Sequence, residues 1–241
     1  MFEPGDRILL VGEERTFYVR AGTGSFSTDK GTIDLDAVLE SSAGDRIVTH
    51  SGHVFTILTP RPVDHFAYAR RSGAPMLPKD IGTVIAYTGM NRNDHVLDAG
   101  SGSGICAIFF GNIAQKVTTY EVKPDFAKLA RANIKDAGLG NVDVVSGDVL
   151  TAEGLYDVVH LDLSLTREHI LHAHTLLRPG GFLACYTPFL EQLFTVLDTG
   201  EGLFSEIHAH ECIEREMTRS PRGSRPSTRI CHSGYVTIAR K

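Results

Sequence analysis

The sequence predicts an α/β fold in which a Rossmann-like, mostly parallel sheet follows a small β-rich leader. Three observations carry that expectation. From His95 onward apolar strands alternate with helical stretches, the order that lays strands parallel with crossover helices between them. Before Pro60 the chain instead breaks into short β-type runs set off by Gly12, Gly22, Gly24, Gly44 and Gly52, as in a small barrel or sandwich. Finally, Gly100-Ser101-Gly102-Ser103-Gly104 stands where the first alternating strand gives way to a helix. The expected domains are 1–61, the β-rich leader, and 62–241, the Rossmann-like catalytic domain.

In order, the leader's strands are expected at Arg7 to Val11, Thr16 to Val19, Arg46 to Thr49 and Val54 to Leu58. Asp34 can cap a short helix over Leu35 to Leu39. Val63, Phe66, Ala67 and Arg70 share one helical face, and Ile81, Val84, Ile85 and Thr88 share another in a helix opening at Pro78. The parallel strands are expected at Val96-Leu97, Val117 to Tyr120, Val142 to Val145, Val158 to Leu161 and Phe182 to Tyr186. Helices are expected near Ile105 to Ile113, Pro124 to Ala137 and Thr166 to Leu177. Ser205 to Glu211 and Tyr235 to Ala239 suit a closing antiparallel hairpin.

Composition narrows the function classes. With 241 residues, 42% hydrophobic and 22% charged, the chain reads as an ordinary globular protein. No apolar run approaches the ~20 residues that cross a bilayer, and the start lacks the basic flank and apolar stretch of a signal peptide. Cys106, Cys185, Cys212 and Cys231 include no C-x-x-C pair and read as reduced thiols, so a cytoplasmic location is expected. The net charge of −5 excludes a uniformly basic coat. Arg215, Arg219, Arg222, Arg225 and Arg229 nonetheless share a short stretch with one acid, Glu216; the stretch is either a solvated loop or a phosphate-contacting patch, for which Arg222, Arg225 and Arg229 are the candidates. Eleven histidines raise the question of a metal, but no H-E-x-x-H occurs and none is expected. The helix bearing Phe126, Leu129, Ala130 and Ile134 has core spacing.

The glycine loop carries the chemistry. Glycine lets the backbone turn sharply and lets a ligand approach without a Cβ in the way. The dinucleotide pattern G-x-G-x-x-G fails because Ile105 occupies its last glycine position. G-x-G-x-G preceded by Asp98 is instead the spacing of class I methyltransferases. Gly100, Ser101, Gly102, Ser103, Gly104 and Ile105 are thus expected around the donor, S-adenosyl-L-methionine. Glu121 ends the next strand, 17 positions beyond Gly104, where an acid can accept both ribose hydroxyls. Asp148, followed by Val149, ends the strand after that, a position suited to the adenine amino group.

The fourth strand ends in His160-Leu161-Asp162-Leu163-Ser164, at the edge expected to face the methyl donor. A carboxylate at Asp162 fits a basic ring nitrogen as acceptor. Adenine N1 would attack the methyl group in line, and an ionised Asp162 accepting from the exocyclic N6 amine would orient the base and stabilise its new positive charge. The alternative is that Asp162 only caps the helix that follows.

Taken together these residues resemble the tRNA (adenine-N1) methyltransferase family, the archaeal and bacterial TrmI group. The likeness runs through Asp29-Lys30-Gly31, Thr49-His50-Ser51-Gly52, Arg70-Arg71, Pro78-Lys79-Asp80, Tyr120-Glu121, Leu161-Asp162-Leu163, Arg178-Pro179-Gly180-Gly181, Tyr186-Thr187-Pro188 and His232-Ser233-Gly234-Tyr235. It implies S-adenosylmethionine as donor, methylation of adenine 58 in the tRNA T-loop and a homotetramer. It also implies a catalytic role for Asp162, donor contacts for Glu121 and Asp148, and a place near the donor for Leu77 and the Pro78-Lys79-Asp80 segment. The chain departs from the family twice: Leu165-Thr166-Arg167 replaces its Pro-Trp, and Leu77 replaces its tyrosine. Both lost aromatics suit stacking on a flipped base. A small-molecule or protein-carboxyl methyltransferase shares the loop and its acids. A non-catalytic RNA-binding subunit typically loses them.

Overall fold

A computed structural model describes residues 1–221, 223–228 and 232–241. It falls into two compact units, Met1–Arg70 with Ala132–Leu139, and Arg71–Arg131 with Gly140–Lys241.

In the first unit, β1 (Arg7–Val11), β2 (Thr16–Arg20), β5 (Arg46–Val48) and β6 (Val54–Leu58) form an antiparallel sheet in the order β2-β1-β6-β5. A separate ribbon, β3 (Ser25–Thr28) with β4 (Gly31–Asp34), was not anticipated, because its four-residue strands carry little apolar alternation. Helix α1 (Leu35–Leu39) starts as expected, with the Asp34 carboxylate accepting from the Asp36 amide at 3.0 Å. The shared core is Ile8, Leu10, Val19, Ile33, Val38, Ile47, Phe55 and Ile57. Two motifs of the leader meet here. The Lys30 carbonyl accepts from Thr49 Oγ1 at 2.9 Å and Ser51 Oγ at 2.6 Å, so they lock two turns together. Helix α2 (Pro62–Tyr68) buries a different face from the expected one. Val63 is exposed, while His65 is buried with Nδ1 2.8 Å from the Tyr18 hydroxyl. Asp136 accepts from Arg7 at 2.7 Å and also pairs with Arg20.

The second unit holds a seven-stranded sheet in the order β12-β15-β11-β10-β7-β8-β9. Helix α3 (Pro78–Thr88) precedes β7 (His95–Ala99), and α4 (Ile105–Gly111), β8 (Lys116–Glu121), α5 (Pro124–Asp136) and β9 (Val142–Ser146) follow. The chain then returns past β7 to β10 (Tyr156–Leu161), α6 (Arg167–Leu176) and β11 (Leu177–Thr187). β7 to β11 are mutually parallel, and β15 (Tyr235–Arg240) runs antiparallel between β11 and β12 (Glu206–Glu211). The predicted Rossmann-like sheet and its antiparallel closing pair are therefore both present. Helix α7 (Leu190–Gly200) was not expected; it buries Leu193, Val196 and Gly200, an i, i+3, i+7 stripe. A lone ribbon, β13 (Met217–Ser220) with β14 (Gly223–Pro226), lies within the arginine-rich stretch. No helix is long and apolar enough to cross a membrane among the described residues.

The strand order reverses between β7 and β10, which are neighbours although one leads outward and the other returns. Crevices at such a switch point, beyond the strands' carboxyl ends, are where open α/β sheets bind ligands.

Gly31 tests the leader's turn lock. Its φ is +107°, and a Cβ there would lie 2.3 Å from Ser51 Oγ. Gly31→Ala should lower stability by roughly 2 kcal/mol. An unchanged denaturation midpoint would contradict the lock.

Candidate active site

The site starts from the contact between β7 and β10. Parallel pairing sets Leu161 opposite Ala99, and the Asp162 amide donates to the Ala99 carbonyl at 2.8 Å. This pins Asp162 against the glycine loop. A Cβ on Gly100 would sit 1.9 Å from the Asp162 carbonyl oxygen, and Gly100 has φ +89°. Glycine is required there by the neighbouring backbone as well as by the turn. Gly104, with φ +81°, faces Ala130 of α5, whose Cα would lie 3.2 Å from an added Cβ.

Beneath the loop lies a buried polar network. Thr119 Oγ1 donates to Asp98 Oδ2 at 2.5 Å. Its one proton being used there, Thr119 must accept from Ser101 Oγ at 2.6 Å. Asp98 Oδ1 lies 2.7 Å from His160 Nδ1, so the imidazole donates from that nitrogen. His160 Nε2 is buried without a hydrogen-bond partner. The network joins loop, β7, β8 and β10, and so fixes the floor of the site.

Above it is a cavity of about 530 Å³, lined by Gly100, Gly102, Glu121, Asp148, Val149 and Asp162 among others. Glu121 is held rigidly, its two carboxylate oxygens accepting from the Gly102 amide at 2.9 Å and the Lys123 amide at 3.0 Å. Asp148 caps the turn Val149–Thr151 through the Leu150 amide and is otherwise exposed to the cavity. A recess of about 70 Å³ shares Gly100, Gly102 and Asp162 with the cavity and adds Ser101, Ser103 and Ile105.

The remaining candidates lie elsewhere. Gly104 lines neither space, because its missing Cβ serves the packing against α5. Leu77 lines neither as well; it is the N-cap of α3, and Met76 reaches the recess in its stead. Arg225 is exposed on β14 opposite Thr218, while Arg219 sits opposite Ser224, so the two point to opposite faces of the ribbon and form no single-faced stripe. Arg222, Arg229 and Cys231 fall outside the described residues. Cys106, Cys185 and Cys212 are free thiols. No cluster of metal-ligating side chains occurs among the described residues.

Phe126 and His169 are among the lining residues that sequence reasoning missed. Phe126 has core spacing, yet its half-buried ring faces the cavity with Lys123 Nζ 4.8 Å from its centroid. His169 accepts the Thr166 amide proton on Nδ1 at 3.1 Å, which leaves Nε2–H as a donor on a residue lining the cavity beside Asp148. Burial lowers its pKa. Spacing carried no signal for His169, because its neighbour across the cavity is brought there by the fold.

Asp162 does not cap the next helix: α6 begins at Arg167 with Thr166 as its N-cap. Burial pushes the Asp162 carboxyl from 3.8 up to about 6, His160 pulling it down and Asp98 pushing it up. The site thus keeps an ionisable acid in a poorly hydrated place.

Fold and site define a class I methyltransferase. The chain is 34% identical to the tRNA (adenine(57)-N(1)/adenine(58)-N(1))-methyltransferase TrmI of Methanocaldococcus jannaschii, over 96% of this chain and 94% of that one. It belongs to the tRNA (adenine-N1) methyltransferase family. Residues 78–177 match the ribosomal RNA adenine dimethylase family. Among solved structures, a Thermotoga maritima protein described as an S-adenosylmethionine-dependent O-methyltransferase superposes with TM-score 0.86 at 30% identity, covering 100% of this chain and 94% of that one. The tRNA (m1A58) methyltransferase TrmI of Aquifex aeolicus gives 0.80 at 24% identity, covering 100% and 98%.

The raised pKa of Asp162 has a measurable sign. The folded state holds this proton to higher pH than the unfolded chain, so stability falls as pH rises from about 4 to about 6 and the cost persists above that range. Asp162→Asn should therefore stabilise the protein at pH 7.5, by on the order of 2 kcal/mol, and hardly at all at pH 4. A stability difference independent of pH in paired denaturation curves would contradict the assignment.

Proposed function

We propose that the protein methylates N1 of adenine 58 in the tRNA T-loop, with S-adenosylmethionine as donor. The observation that carries this reading is the pairing of an intact donor cavity with a half-buried carboxylate, Asp162, at its edge. Family membership supplies the acceptor.

The residues present fit the donor. Its adenosine ribose suits Glu121, whose oxygens keep lone pairs free after accepting from Gly102 and Lys123. Asp148 can accept from the adenine amine while His169 Nε2–H donates to a ring nitrogen, and Phe126 and Val149 supply apolar contact. When bound, the donor supplies a methyl group on a sulfonium that departs as a neutral thioether. Gly100 and Gly102 lie with Asp162 on both the cavity and the recess, which suits the loop to hold the donor's methyl end beside the carboxylate.

Asp162 has the chemistry the acceptor needs. Ionised, it accepts from the exocyclic N6 amine, aims N1 along the line of transfer and offsets the positive charge that develops on the purine. Low hydration strengthens that effect. The arginine-rich segment, with Arg215, Arg219, Arg222, Arg225 and Arg229, would contact phosphates and give binding that weakens with salt despite the net charge of −5. A homotetrameric assembly is proposed with this reading.

The likeness to the Thermotoga protein favours one competitor, transfer to an oxygen acceptor. Incubation with labelled donor and total tRNA, followed by nucleoside analysis, separates the two. N1-methyladenosine is the expected product; label confined to an O-methylated nucleoside, or absent from tRNA, would sink the reading. Glu121→Ala should weaken donor binding by roughly 1–3 kcal/mol, the scale of hydrogen bonds to a charged group. Calorimetry showing wild-type affinity in a folded variant would remove Glu121 from the donor site.

A further inference from the structure

Two motifs that the donor cavity does not use meet elsewhere in the second unit. Lys79, in the first turn of α3, is almost wholly buried, and its ammonium donates to Asp80 Oδ1 at 2.7 Å, the Cys212 carbonyl at 2.6 Å and Ser233 Oγ at 2.6 Å. All three donors are thereby used. Ser233 Oγ in turn donates to Asp80 Oδ2 at 2.7 Å. Cys212 directly follows β12 and Ser233 lies two residues before β15, so one ion pair ties both ends of the segment between them. Glu211 and His232 add a second tie at 2.7 Å across the same neck.

The segment so held contains the β13–β14 ribbon, with Arg215, Arg219 and Arg225 exposed. Among the described residues the ribbon pairs with no other strand, and its strands are exposed throughout. A lone two-stranded ribbon is marginal in water, so its placement depends on its neck.

The neck also reaches the catalytic edge. Tyr186 donates its hydroxyl to the Ser233 carbonyl at 2.7 Å, and a Cβ on Gly234 would come within 2.6 Å of its ring. Tyr186 is one step beyond Cys185, the partner of Leu161, and its strand position is thus level with Asp162.

We infer that the Lys79–Asp80 ion pair is a positioning device for the acceptor RNA, holding the neck of the arginine-bearing segment and, through Ser233, the Tyr186 ring that is bonded to it. This rests on the reading of that segment as an RNA contact. Neither Lys79 nor Asp80 lines the donor cavity or the recess. A buried ion pair adds little net stability over an apolar pair of similar size, but it imposes fixed geometry on the groups bonded to it. That is what a neck requires.

The test uses the full chain in three forms: Lys79→Met with Asp80→Leu, Ser233→Ala, and Arg215→Ala with Arg219→Ala and Arg225→Ala. Thermal melts establish folding, calorimetry gives donor affinity, and tRNA binding is measured across a salt series beside single-turnover rates. Both neck variants should lower kcat/KM for tRNA, the double variant by roughly tenfold, and flatten the salt dependence as the arginine variant does, with donor affinity unchanged within about twofold. If the arginine variant weakens tRNA binding while the folded neck variants do not, the positioning role is wrong and the RNA reading stands. If the arginine variant keeps the full salt slope, the RNA reading fails and takes the inference with it. An equal loss of donor affinity in a folded neck variant would also overturn it. Should the double variant fail to fold, Ser233→Ala decides, with a several-fold loss expected in kcat/KM for tRNA alone.

Discussion

Where β7 and β10 end side by side, two stretches of backbone come closer than any side chain permits. The Asp162 amide bonds to the Ala99 carbonyl, and the Asp162 carbonyl occupies the space a Cβ on Gly100 would fill. This contact exists because the strand order reverses between these two strands, which leaves their carboxyl ends adjacent while the connections run off in opposite directions. Everything at the site follows from it. The loop proposed to cradle the donor and the carboxylate proposed to meet the acceptor are fixed to each other by main chain, so their relative position does not depend on side-chain rotamers.

Beneath that contact the protein keeps a second layer of order. Ser101, Thr119, Asp98 and His160 form one chain of hydrogen bonds running from the loop through three strands. Buried polar groups are costly unless paired, and in this chain of hydrogen bonds only His160 Nε2 lacks a partner. The same surroundings deprive Asp162 of water and raise its pKa to about 6. A carboxylate held against its preference for solvent destabilises the fold but gains strength against a nearby cation.

The parallel sheet was legible because strands covered on both faces leave continuous apolar runs, as in Val158-Val159 and Leu97, and because helices return between them. That the glycine loop, Glu121, Asp148 and Asp162 share one edge of the sheet was legible because each lies at or just beyond the carboxyl end of a strand. What stayed hidden depends on contacts between segments distant in sequence. His65 turned inward because Tyr18 offered a partner, against the apolar face that periodicity favoured. Phe126 shares its helix with core residues, and only the position of the cavity separates it from them. Gly104 serves the approach of α5, which spacing alone could not distinguish from contact with a ligand. The Pro78-Lys79-Asp80 and His232-Ser233-Gly234 motifs were visible separately, but their union through Lys79 required the fold.

The central claim is that the charge of Asp162 acts in the transfer step itself. Asparagine keeps the shape and can still accept a hydrogen bond through its amide oxygen, and no helix cap is at stake. Single-turnover methyl transfer to tRNA at saturating donor, comparing wild type with Asp162→Asn and Asp162→Ala, isolates that charge. The account predicts that both variants bind donor and tRNA nearly as wild type, with Asp162→Ala slowed on the order of a hundredfold or more and Asp162→Asn also clearly impaired. A near-normal rate for Asp162→Asn would contradict it.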